Sequence, residues 1–566
     1  MRATRTILGD GHRCIECVRL AAGFSLAILL ATLAVSCTRS SRPSEPRLPH
    51  EVEIPPYLKD TIGEIARIAG REFIPVQAYG FVTGLDGTGT RVVPPGIRQE
   101  ILNVMRRNKV QNPEELLASP DTAVVQVTGL LAPGIGKGEV FDLEVCAPPN
   151  TETTSLDGGF LLETDLRRTV SARGVEARSE VLALGRGSIF VSPFSSDKKK
   201  GDTADPRIGR ILAGGKAVKV RHFRLALLAP SVRTVDQIVR TINACFPEVA
   251  KGTRDPGRVD LEVPAEYRDD KDHFLDLVGA LYLRETPDAR DRRVGLLIEA
   301  LQSGKDLDRV ATCLEAFGPT VLARLRPLAD HPSETVRFYV GRTLANLQEP
   351  QAVYVLERIA LDDRSDLQES AVEALGKIRS GVGLGVLGRA LDAASARVRL
   401  AAWRAMARLT PETFVVRRFE DKFVLSAVAT KAAPFVYISR TLKPHIAIFG
   451  NIAVQPPILA ETRRVTATAL ADAKHLILMA RRRGKDIHLD APLDLKGLIE
   501  VLASPLSEDP AKTGGGLDLG YSDVVGLLHE MAKKGALSGA IMLQPLEYRI
   551  PGDRPIVRPI GTDEPE

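Results

Sequence analysis

The densest group of residues able to do chemistry is Gly80-Phe81-Val82-Thr83-Gly84-Leu85-Asp86-Gly87-Thr88-Gly89-Thr90. Glycines beside an aspartate and threonines suggest a phosphate cradle or an aspartyl dyad. The spacing fits neither. Gly84, Gly87 and Gly89 run GxxGxG rather than G-x-G-x-x-G, and no acidic residue follows at the distance a ribose contact needs. No second Asp-Thr/Ser-Gly supplies the other half of a dyad. Gly136-Lys137-Gly138 lacks the earlier glycine and the following Ser/Thr of a P-loop. The nine histidines are scattered, with no HExxH and no paired Cys/His cluster after residue 37, so no zinc site is expected. No GxSxG elbow occurs. The sequence therefore names no catalytic, cofactor-binding or metal-binding residue, and the expectation is a non-enzyme without cofactor. His222 and His445 flank apolar strands and read as structural.

The elements that position the glycine cluster come next. An apolar alternating run ends at Thr83, so the cluster reads as a strand leaving into a tight turn that needs positive φ. With 566 residues, 44% hydrophobic and 26% charged, the chain suits several folded domains of about 150 residues each. A net charge of +5 is too mild to argue for nucleic acid, and one Trp with 5% aromatics leaves few stacking platforms.

Residues 1–37 read as an export signal. Arginines precede an uncharged, Leu- and Ala-rich run that ends in Leu33-Ala34-Val35-Ser36-Cys37. Cys37 after Ala-Val-Ser is similar to a bacterial lipoprotein cleavage box, with the preferred leucine one place early. Acylation at Cys37 would anchor the chain to a membrane. The alternatives are ordinary cleavage or an uncleaved anchor. Cys14 and Cys17 form a CxxC inside this segment. Residues 38–58, with five prolines, read as a linker. In an oxidising compartment Cys146 and Cys245 could pair; three buried thiols, Cys313 included, are the alternative.

From 59 to 285, strands are predicted at 123–131, 140–147, 159–164, 180–184, 188–191, 222–228 and 259–263. Helices are predicted at 97–107 and 234–246, with Ser231 or Thr234 as cap of the second. This is an α+β pattern.

The stretch Tyr79-Gly80-Phe81-Val82-Thr83-Gly84-Leu85-Asp86-Gly87-Thr88-Gly89 resembles the opening signature of the bacterial flagellar P-ring protein family. Further pieces of the resemblance follow in order: Ile101–Met105, Val125–Thr128 with Pro133, Gly134, Gly138 and Phe141–Leu143, Ser155–Leu162, Ile208–Ile211, and the 234–246 helix. Thr90 departs from the usual Asp. Asp197-Lys198-Lys199-Lys200 is also a departure and reads as a solvated loop.

Residues 286–410 change to helical stripes with a 31-residue period. Leu325, Leu356 and Leu387 repeat; so do Val336, Leu367 and Val398; Val340, Ala371 and Ala402; Leu344, Leu375 and Met406; and Leu347, Ile378 and Leu409. Helix pairs at that period resemble HEAT-like repeats, with residues 290–318 as a degenerate first unit. Trp403 reads as core or capping packing. Such surfaces usually bind proteins, which points to an unknown protein partner.

Residues 411–566 are similar to the late part of the same family. Ile446–Pro457 reads as strand, glycine turn, strand. Leu495–Leu502 and Asp523–Met531 read as helices, with Ser522 as an N-cap and Gly535 as a stop. The fold expected is thus α+β, a β-rich ring-forming body with an inserted α-helical HEAT-like solenoid. The resemblance implies a structural subunit of a flagellar P ring. Copies would assemble around the flagellar rod in the periplasm, near the L-ring proteins and peptidoglycan, with Tyr79, Gly80, Gly84, Asp86, Gly87 and Gly89 as structural motif residues. The alternative is an envelope lipoprotein that keeps the fold and uses the repeats to bind a protein.

Overall fold

The structure, a computed structural model, describes residues 55–546 apart from 92, 94, 150, 173–174, 195–204, 284–285, 483–484 and 507–514. The expected signal segment, Cys14, Cys17, Cys37, most of the proline-rich linker and the 197–200 basic run lie outside the described residues.

Alternating apolar residues in the first half close a six-stranded barrel. Its strands are Ile74–Thr83, Thr122–Leu131, Val140–Cys146, Phe160–Ala172, Val175–Ser188 and Ile208–Ala217. The order around the barrel is 74–83, 122–131, 140–146, 208–217, 175–188, 160–172. Every neighbouring pair is antiparallel. Inward residues such as Val82, Val127, Leu143, Leu161 and Ile211 fill it as one core. Helix Pro95–Arg107 lies on the outer wall, with Ile101 and Met105 against Phe81 and Val124.

Two sequence expectations need correcting here. Residues 159–164 and 180–184 are parts of much longer hairpin strands, because their polar outer residues also alternate. Residues 188–191 form a single bridge, Phe190 to Arg210, rather than a strand.

The strands expected near 222 and 259 leave the barrel for a separate four-stranded sheet, ordered Ala66–Ala69, Phe223–Leu227, Arg258–Leu261, Ala250–Gly252. Helix Val232–Cys245 covers it through Val235, Ile238 and Ile242, and Ser231 Oγ accepts the Thr234 N–H at 3.3 Å as its cap. Helix Lys271–Ala280, capped by Asp270, joins the same core through Phe274 and Val278.

The solenoid follows. Pro287–Gln302 and Leu307–Ala316 form its first pair. Glu334–Asn346, Gln351–Ala360, Gln368–Leu375, Gly381–Ala390 and Ala396–Leu409 continue it. The 31-residue register is the buried register. Leu325, Leu356 and Leu387 are fully enclosed, as are Val340, Ala371 and Ala402.

After residue 410 the chain builds two more sheets. One is five-stranded, ordered Val415–Phe419, Phe423–Val428, His445–Phe449, Phe435–Ile438, Ala540–Leu543. The other is an antiparallel meander of Ile458–Glu461, Val465–Ala469, His475–Arg482 and Lys485–Pro492, which the sequence reading missed. Helices Leu495–Ala503 and Tyr521–Lys533 appear where expected. The expected strand after Gly450 is only two bridges, Ala453 to Asp494 and Val454 to Leu537. Among the described residues no C-terminal strand pairs with the barrel. The two β-rich flanks are joined by side chains rather than by a shared sheet.

Candidate functional site

The glycine cluster forms the turn its residue types predict. Strand Ile74–Thr83 carries Tyr79, half-buried on its outer side, and Gly80, where a Cβ would meet Leu161 at 2.6 Å. The chain then turns through Gly84 (φ +80°), Asp86 (φ +48°) and Gly87 (φ +83°). These are left-handed conformations that glycine adopts freely and aspartate tolerates. Asp121 holds the turn by accepting the Gly87 N–H at 2.7 Å, and its carbonyl takes the Leu85 N–H at 2.9 Å. Thr88 Oγ1 lies 2.8 Å from the Leu85 carbonyl and 2.9 Å from that of Ser155. Gly89 has an ordinary φ and a different reason to be glycine: a Cβ there would overlap the Thr122 carbonyl. Thr90 is buried, with its N–H on the Thr122 carbonyl at 2.8 Å.

This conformation aims the Leu85 and Asp86 carbonyls at one another's side of the turn, and an arginine fills the space between them. Arg463 Nη2 donates to Leu85 O at 2.9 Å and to Asp86 O at 2.8 Å, and Nη1 reaches Thr88 Oγ1 at 3.3 Å. Its neighbour Arg464 bridges the Asp86 carboxylate, at 3.0 Å, and that of Asp523, at 3.5 Å. Arg464 and Asp523 are 13% and 5% exposed, so the pair is nearly dry. A Cβ on Gly158 would collide with the Arg464 guanidinium, which explains glycine at that position too. Both arginines sit in the turn between strands Ile458–Glu461 and Val465–Ala469, a turn braced by Thr462 Oγ1 and the Val465 carbonyl at 3.0 Å.

Further polar contacts line the same seam. Asp142 on a barrel strand accepts the Leu442 N–H at 2.8 and 3.0 Å and the Ala213 N–H at 2.8 Å. Burial nevertheless pushes its carboxyl above the usual aspartate range. Ser522 is corrected from its expected capping role. It is inside the helix, and its Oγ bonds Asp157 at 2.6 Å. The cap is Gly520, whose N–H goes to the Asp523 carboxylate at 3.1 Å. Gly535 ends that helix at φ +66°, as expected. A small apolar plug completes the seam: Phe190 packs 5.3 Å from Tyr521, and Phe194 packs 4.5 Å from His529.

The arrangement holds two parts of one chain together. It has no nucleophile beside a base. Among the described residues, no group of three His, Cys, Asp or Glu could hold a metal. No helix among them is long and apolar enough to cross a membrane.

The motif residues Tyr79, Gly80, Gly84, Asp86, Gly87 and Gly89 therefore lie together in one strand and turn. The residues that read the turn, Arg463 and Arg464, were missed. An adjacent arginine pair after Thr462, between two alternating segments, was the available signal. The pairing of Cys146 with Cys245 is also corrected. Cys146 ends a barrel strand, Cys245 ends the helix on the separate four-stranded sheet, and both remain thiols. Cys313 is a buried thiol, and burial pushes it up to about 12.

Comparison with known proteins places these elements. Residues 61–295 match the family described as flagellar P-ring protein, and residues 295–376 match HEAT repeats. The chain is 27% identical over 223 residues to flagellar P-ring protein 1 of Chromobacterium violaceum, covering 37% of this chain and 58% of the relative. It is 27% identical over 341 residues to the flagellar P-ring protein of Rhodopseudomonas palustris strain BisB5, covering 58% and 81%. It is 30% identical over 256 residues to flagellar P-ring protein 1 of Vibrio parahaemolyticus, covering 43% and 62%.

Proposed function

This chain is related to the flagellar P-ring proteins and carries HEAT repeats within that relationship, and we propose that it serves as a structural subunit of a flagellar P ring. Copies of the chain associate head to tail into a closed ring around the flagellar rod, in the periplasm, with the L-ring proteins and peptidoglycan as neighbours. Heterologous contacts between identical subunits close such a ring when their rotation allows. The observation that carries the reading is the signature turn itself. Its motif glycines build a socket that the second P-ring-like segment fills across the solenoid, through Arg463 and Arg464. A chain that had kept the motif without the job would not need both halves to interlock.

Electron microscopy of purified basal bodies, labelled with an antibody to residues 286–410, tests the proposal. Label on a ring around the rod is the expected result. Basal bodies that carry no label, in cells that contain the protein, would overturn it. A second reading, an envelope lipoprotein recruiting a protein through the repeats, draws on the exposed Tyr354 and Val382 of the solenoid. It predicts the chain in cells that lack rod and L-ring genes.

A further inference from the structure

The last solenoid helix, Ala396–Leu409, presents Arg399 and Trp403 to the five-stranded sheet, and both are buried, at 2% and 5% exposure. Arg399 Nη1 donates to the Ala433 carbonyl at 2.7 Å, and its guanidinium lies 4.9 Å from the Phe435 ring centre. The Trp403 ring packs 5.0 Å from His445, 5.9 Å from Tyr437 and 6.0 Å from Phe449. Arg404 adds a bond to the Tyr437 hydroxyl at 2.9 Å, and Asp392 accepts the Lys431 N–H at 2.7 Å. The solenoid's apolar interior and this face of the sheet are one continuous core. The other face of the same sheet belongs to the core of the meander and the two C-terminal helices. The sheet is thus a middle layer, and its runs Phe435-Val436-Tyr437-Ile438 and Ile446-Ala447-Ile448-Phe449 are buried on both sides.

The solenoid is held at its other end and along its loops. Tyr282 stacks on Phe317 at 4.8 Å, and Arg293 pairs with Asp60. Glu315 bonds both His273, at 2.9 Å, and Asn346, at 2.6 Å, while Lys377 pairs with Asp270 at 3.0 Å. A recruiting arm would be tethered at its base and free beyond it. This segment is fastened at the start, the middle and the end.

We infer that the solenoid is a buttress completing the core of the five-stranded sheet, so that the repeats and that sheet open as one cooperative unit. The sheet face carrying Phe435, Tyr437 and Phe449 has no other cover in the fold, and exposing it would cost on the order of 25 cal/mol for each Å² of apolar surface. The inference stands whether or not the chain builds a ring.

Hydrogen exchange on the full-length protein tests it, with Trp403→Ala as the main variant. Exchange in strands Phe435–Ile438 and His445–Phe449 and in helices Gln368–Leu375 and Ala396–Leu409 should accelerate together, at least tenfold. Barrel strand Thr122–Leu131 should keep its native rate. Acceleration confined to the helices, with the sheet unchanged, would overturn the inference. If Trp403→Ala does not fold, Arg404→Ala removes only the contact with Tyr437 and should give the same joint pattern at smaller amplitude. Arg358→Ala, which breaks an exposed pair with Asp330, should leave both segments at native rates.

Discussion

Arg463 donates to the carbonyl of Asp86 at 2.8 Å across 377 residues of chain. The bond depends on left-handed backbone at Asp86 and Gly87, which turns that carbonyl outward, and on a braced turn that fixes Arg463. The motif glycines thus act through shape and not through reactivity.

Arg463→Ala should lower stability by about 1–2 kcal/mol, the usual net worth of hydrogen bonds from a charged donor at a half-exposed site. Arg464→Ala should cost more, about 3 kcal/mol, because it leaves the buried Asp523 carboxylate without its counter-charge. Urea denaturation of both variants checks the order. Equal losses would show that the burial of Asp523 is not what matters.

Gly89→Ala and Gly87→Ala should separate two reasons for glycine. At Gly89 the added carbon meets backbone, so the turn must shift and the loss should exceed about 2 kcal/mol. At Gly87 there is open space but φ is +83°, so the loss should be about 1 kcal/mol. Thermal melts of the two variants provide the measurement.

His445 lies beside Trp403 and hydrogen-bonds Ser426 at 2.8 Å. Burial, with Arg418 and Lys443 nearby, pushes its imidazole down to about 4. The unfolded chain, titrating near the ordinary 6.5, then binds the proton more readily than the folded one. This contribution to stability is present above pH 6.5 and is lost as pH falls from there toward 4. His445→Gln should flatten the pH dependence of the urea midpoint across that window. An unchanged slope would assign the acid sensitivity to other groups.

Leu356→Ala, inside the repeat register, should cost about 2–5 kcal/mol. Tyr354→Ala, two positions away and 65% exposed, should stay within about 0.5 kcal/mol. Comparable effects would mean that the 31-residue pattern does not mark the core.

Thiol labelling of the native protein should modify the exposed Cys245 first and the half-buried Cys146 more slowly. Cys313, among Val310, Leu314 and Phe317, should react only after unfolding. Cys146 and Cys245 appearing as a reductant-sensitive crosslink would contradict the structure.

Local regularity was readable in the sequence, and long-range association was not. The period of 31 exposed the solenoid because the same apolar positions recur in every unit. Gly84 and Gly87 announced their turn because few residues tolerate its backbone. The 458–492 meander went unseen because its strands are short and carry Thr, Arg and His on the open face. Which sheet Phe223–Leu227 joins could not be read, since alternation specifies a buried side but no neighbour. Ser522 looked like a cap by type, and only its closeness to Asp157 shows what it binds.

The socket at Leu85 and Asp86 is complete within the first quarter of the chain, yet its occupant is synthesised after the barrel, the separate sheet and every repeat. Until Arg463 emerges, those carbonyls have only water as a partner. Final consolidation must therefore wait for the last portion of translation, and loss of that portion would leave even the earliest-made domain unfinished. High contact order of this kind slows folding, so nascent chains should depend on holdase protection for most of the time taken to make them.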